Sequence, residues 1–150
     1  MNARPNPATL PETLPQNLAR VLLMLRFGLV GGCVIMTGIA YFVGPDASAG
    51  ADPEIAAQMP LVLAPVAAVS LGISLLGGRI FARMCANFQS AMVLRWAIAE
   101  SATVIGLVLA FMGADPRVAL ALGALGALAI LVQPGDARAY EAYRTERLGR

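Results

Sequence analysis

Four runs of apolar residues, each as long as a bilayer-crossing helix or nearly so, constrain this chain more than any other feature. A helix needs about 17–25 mostly apolar residues to cross the hydrocarbon core, because each residue advances it by roughly 1.5 Å. The first run, 18–43, is interrupted only by Arg20 and Arg26 and is uncharged from Phe27 onward. The second, 60–78, carries no charge, and the third, 96–113, carries one, Glu100. The fourth, 118–133, is the shortest, so it should stand nearly upright or thin the bilayer locally. The expected fold class is therefore all-α: an integral membrane four-helix bundle.

The arginines orient it, because positively charged flanks stay on the cytoplasmic side during insertion. If four spans alternate, Arg4, Arg20, Arg26, Arg79, Arg83, Arg95, Arg138, Arg144, Arg147 and Arg150 fall on one side and only Arg117 on the other. Both the N-terminus and the C-terminus are then cytoplasmic, in a multi-pass protein of a bacterial-type cytoplasmic (inner) membrane. Trp96 at one boundary, and Tyr41 with Phe42 at the other, read as interfacial anchors.

The remaining segments are connections and tails. Residues 1–17 hold Pro5, Pro7, Pro11 and Pro15 among small and polar residues, a composition that does not bury a core and predicts a disordered tail. Asn17 is the expected N-cap of the first helix. The loop 44–59, with Pro45, Asp46, Asp52, Pro53 and Glu54, reads as an exposed connection, and Pro60 as a first-turn proline with Pro65 bending the second span. Ala47-Ser48-Ala49 has the small-residue form of a signal-peptidase site, but the stretch before Phe27 is too long for an ordinary signal start, so a retained first span is expected. Segment 79–95 sets Ile80, Phe81, Met84, Phe88 and Met92 on one helical stripe opposite Arg79, Arg83, Asn87 and Ser90. It is expected to lie in the interface or to prolong its neighbours into a hairpin. The cytoplasmic tail 136–150, with Tyr140, Glu141, Tyr143, Arg144 and Arg147, suits a short surface helix.

Composition removes most soluble chemistry. Apolar residues make up 58% of the chain and charged ones 13%, against roughly 45–50% and about 25% in soluble proteins. Histidine is absent and the two cysteines, Cys33 and Cys85, fall in different settings, so a disulfide, a zinc site or a histidine-ligated haem lacks partners. The commonest general base and the Ser/His/Asp or Cys/His arrangements go with it. A net charge of +2, scattered along the chain, does not build a nucleic-acid groove. No cofactor, metal or nucleic-acid partner is expected.

Glu100 is the one carboxylate inside a span, and an ionised carboxylate there must be paired, hydrated or protonated. Arg26 lies at a similar depth in the first span, so an interhelical ion pair is one expectation; Arg95, five residues earlier on the same helix, is a second candidate partner at poorer spacing. Proton or ion handling is the other. The stretch Ala97-Ile98-Ala99-Glu100-Ser101-Ala102-Thr103-Val104-Ile105-Gly106-Leu107-Val108-Leu109-Ala110-Phe111 resembles the outer helix of the proteolipid c subunit of rotary ATPases. The resemblance covers this one helix and implies that Glu100 is an ion-binding carboxylate, with Ser101 and Thr103 as ligating hydroxyls.

Small residues at helical spacing, Gly28 with Gly32, Ser70 with Ser74 and Gly123 with Gly126, let helices approach closely in lipid. They lead to the main expectation: a small non-enzymatic membrane protein, a structural or accessory subunit that packs with itself or with other membrane subunits. The alternative is a proton- or ion-handling component using Glu100. A lipid-acting enzyme is a third idea, in which Arg79, Arg83, Arg95 and Asn87 hold a headgroup, but no nucleophile or base accompanies them.

Overall fold

Backbone groups in lipid find no water to bond, so apolar runs of this length close their hydrogen bonds internally as helices. The computed structural model describes residues 13–148, and every regular element among them is helical. The elements are α1 (Gln16–Phe42), α2 (Gly44–Ala47), α3 (Pro53–Leu76), α4 (Gly78–Met84), α5 (Phe88–Phe111), α6 (Pro116–Val132) and α7 (Ala137–Leu148). Most of the proline-rich tail, residues 1–12, and the arginines at 4 and 150 lie outside the described residues.

Three of these helices, α1, α3 and α5, are long and apolar enough to cross a membrane. A fourth candidate is α6 taken with α7, which meet at a 77° bend. By itself α6 has 17 residues, about 25 Å of helix against a hydrocarbon core of about 30 Å.

Helix ends differ from expectation where a cap outweighs the apolar pattern. Asn17 is not the first cap: α1 starts at Gln16 after Pro15, with no side-chain cap. The connection 44–59 is largely helical, because Asp52 accepts a hydrogen bond from Glu54 N (2.8 Å) and Pro53 takes the first turn, where a missing N–H is harmless. Pro60 is consequently an interior proline, like Pro65.

The segment 79–95 is not one helix. Cys85 is extended and Asn87 starts a new helix by accepting from Ser90 N (2.7 Å), so α5 runs on from there into the third span. The stripe is split accordingly: Phe81, Phe88 and Met92 are buried, whereas Ile80 and Met84 are 59% and 72% exposed. Asn87→Ala should cost about 1 kcal/mol of stability and fray the start of α5, measured by thermal unfolding in detergent.

At the other end α5 stops on Gly113, at φ 88°. The bonds Gly113 N to Ala110 O (3.1 Å) and Ala114 N to Leu109 O (3.0 Å) close the helix in the left-handed conformation that glycine adopts freely. Asp115 then caps α6 through Arg117 N (2.8 Å).

The core is centred on α5, which packs against α1, α3, α4 and α6. Its small residues Ala99, Ala102, Gly106 and Ala110 are buried and let the neighbouring backbones close in. A β-carbon at Gly106 would sit 3.2 Å from the Ala119 backbone of α6. The tail helix α7 docks on α4 and the start of α5: Tyr140 and Tyr143 meet Phe88 edge-on at 5.3 and 5.6 Å between centroids, and Arg83 pairs with Glu146.

Candidate functional site

Midway along α5, Glu100 turns toward α1 rather than α6. A β-carbon at Gly32 would lie 3.1 Å from its Oε1, so the glycine lets the carboxylate rest against the backbone of α1. Next along α1, the thiol of Cys33 is buried in the core that includes Ala99 of α5. Thr37, a turn further, donates to Cys33 O at 2.7 Å and faces Gly123 of α6. A short polar seam therefore runs between α1, α5 and α6 inside apolar surroundings.

The expected ion pair does not form. Arg26 donates from its guanidinium to Leu131 O, near the end of α6, and so closes a carbonyl that the helix itself leaves open. Arg95 is spent likewise, with Nε donating to Ser74 O at 3.0 Å and Nη2 to Leu75 O at 3.2 Å in the last turn of α3. A cation at a helix C-terminus meets both free carbonyls and the negative end of the helix dipole. Among the described residues the Glu100 carboxylate has neither a cationic partner nor a hydrogen bond.

The hydroxyls that the family resemblance implies as ligands are differently disposed. Ser101 donates to Ile98 O at 2.7 Å on its own helix, and Thr103 is buried against Gly126. Neither hydrogen-bonds the carboxylate. The arrangement places one acid in an apolar seam with small residues beside it, and no group of three or more metal-ligating side chains occurs among the described residues.

The small-residue pairs divide in the same way. Gly123 and Gly126 are both buried, facing Thr37 and Thr103, whereas Gly28 has nothing within 4 Å of where a side chain would begin. Ser70 is half-buried and makes no side-chain hydrogen bond among the described residues, while Ser74 is fully buried at a junction of three helices. There Ser74 Oγ donates to Arg95 O (2.6 Å) and accepts from Gln133 Nε2 (2.6 Å).

This junction has no counterpart in the sequence reading, where Gln133 is only the last residue of the fourth run. The signal was a lone amide directly after an apolar run. Trp96 is also displaced from its expected role: it is fully buried, with its ring against Gly135, so it does not anchor in lipid. Tyr41 and Phe42 are exposed, as anchors are.

On the side of α5 away from α6, Leu94, Ala97, Ser101, Val104, Val108 and Phe111 recur at alternating spacings of three and four. The large members, Leu94, Val104, Val108 and Phe111, are 39–42% exposed. This strip lies along the most buried of the long helices, with Glu100 beside it. No family model, curated protein or solved structure matches the chain.

Proposed function

We propose that the protein is a small non-enzymatic subunit of a bacterial-type cytoplasmic membrane, built as a four-span bundle with both termini inside. It works by packing with further copies of itself or with another membrane protein. The orientation is supported by the placement of ten of the eleven arginines, and α7, with Arg138, Glu141, Arg144, Glu146 and Arg147, suits the interface rather than the hydrocarbon.

The observation that carries the packing role is the open strip on α5. Its spacing of three and four is that of a seam between two helices, and in lipid such seams associate through close contact and polar pairing rather than through water exclusion. A partner helix laid along it would cover Val104, Val108 and Phe111 and bring its own side chains beside Glu100.

A second reading, proton or ion handling by Glu100, is supported by the lack of a partner for that carboxylate among the described residues. The two readings separate in one experiment on protein purified in mild detergent, with a photo-crosslinker at position 104 and labelling by a hydrophobic carbodiimide, which modifies protonated carboxylates. The subunit reading expects a crosslinked species larger than the monomer, and less labelling of Glu100 in that species than in the monomer. The ion-handling reading expects a labelled Glu100 whose reactivity falls as pH or cation concentration rises, with Glu100→Gln abolishing labelling. A monomer without crosslinks overturns the first; an unreactive Glu100 at every mild pH overturns the second.

A further inference from the structure

At the end of the bundle where α1 begins and α6 ends, a cavity of about 340 Å³ opens. Its lining includes Arg20, Leu23, Arg26, Trp96, Gly135 and Asp136. Two of these residues carry buried donors without an acceptor: Arg26 Nε and Trp96 Nε1. Trp96 is completely buried, and a buried N–H left without a partner is destabilising. Native interiors rarely leave such groups unmet, which marks this end of the bundle as one whose polar groups are not fully paired. Arg20 adds a guanidinium that makes no hydrogen bond or ion pair within the described residues.

Two guanidinium groups around one opening, with Leu23 as an apolar wall and Trp96 in the lining, match the chemistry of a phosphate at a membrane surface. Guanidinium binds phosphate through paired N–H donors, and one nitrogen of Arg26 is already fixed on Leu131 O, which holds the group in place. Asp136 at the rim carries the opposite sign, but one of its oxygens is engaged in capping α7, accepting from Ala139 N at 3.1 Å. A headgroup that bears a hydroxyl beyond its phosphate meets both signs.

We propose that this cavity binds the phosphate of an anionic phospholipid headgroup, with Arg20 and Arg26 as its donors. The site is independent of Glu100 and of the seam on α5.

Trp96 is the one tryptophan in the chain, so its fluorescence reports on this cavity alone. The protein is placed in nanodiscs of phosphatidylcholine, and phosphatidylglycerol is substituted in steps; a parallel series keeps pure phosphatidylcholine and adds inorganic phosphate. A saturable change in Trp96 emission with phosphatidylglycerol, absent with inorganic phosphate, is the expected result. Arg20→Gln should weaken it about fivefold, the effect of one basic residue near an anionic surface. Saturation by inorganic phosphate as well would support the donor set and identify free phosphate as a ligand. Arg26 also closes α6, so Arg26→Lys is the companion variant, judged only where circular dichroism matches the parent. No saturable change in either series, or a change that both variants leave untouched, overturns the proposal.

Discussion

Leucine in place of Gly126 is expected to prevent α5 and α6 from closing, with loss of the folded bundle in detergent, while leucine in place of Gly28 leaves the melting temperature unchanged. Both glycines belong to pairs at helix-packing spacing, and only the surroundings separate them. A β-carbon at 126 would fall 2.5 Å from Thr103 Oγ1 and 3.1 Å from the backbone oxygen of Ala99, and that oxygen is held in its own helix. Even Gly126→Ala must push the helices apart, at about 1–3 kcal/mol for an overfilled core, and leucine adds a branched end that the contact does not accommodate. At position 28 no atom lies within 4 Å, so the added side chain meets only the surrounding solvent or lipid. Thermal unfolding followed by circular dichroism, with both variants in the same detergent, checks the contrast. Equal losses at the two sites would mean that α1 also packs through Gly28.

That contrast marks where the sequence stops being informative. Length and hydropathy reveal the helices because lipid tolerates no open backbone, and the break between the runs 96–113 and 118–133 falls where the structure turns. Rotation is harder to read. A soluble helix separates its faces by polarity, but here valine, leucine and alanine occupy both the lipid side and the protein side, so periodicity carries little signal. Gly28 and Gly126 look alike for that reason. Counting residues from the span edges matches Arg26 with Glu100, yet Glu100 lies against Gly32, six residues or about 9 Å further along α1, while Arg26 faces the end of α6. The arginines are legible as charges that gather on one side if four spans alternate. Their second use, closing the free carbonyls of α3 and α6, depends on which helix ends come together and has no sequence signature.

Arg95→Ala is expected to cost about 3 kcal/mol, because two charge-assisted hydrogen bonds are lost and the Ser74 and Leu75 carbonyls are left open in the last turn of α3. Arg95→Lys should recover only part of this, since a single ammonium does not present the planar fork that reaches two carbonyls at once. The junction beneath it sharpens the argument. Ser74 joins α3 to the backbone of α5 and to Gln133 at the end of α6, and both side chains are almost fully buried. Ser74→Ala deprives the Gln133 amide of its acceptor while leaving it out of reach of water, a loss of about 1–3 kcal/mol. Adding Gln133→Leu removes the stranded amide, so the double variant should be more stable than Ser74→Ala alone. Ser70→Ala, one turn earlier on the same helix, should do nothing. Chemical unfolding in detergent of the two Arg95 variants, Ser74→Ala, Gln133→Leu, the double variant and Ser70→Ala measures these differences. Additive losses from Ser74→Ala and Gln133→Leu would show that the two side chains act separately, and that α3 is held to the bundle by its apolar face and Arg95 alone.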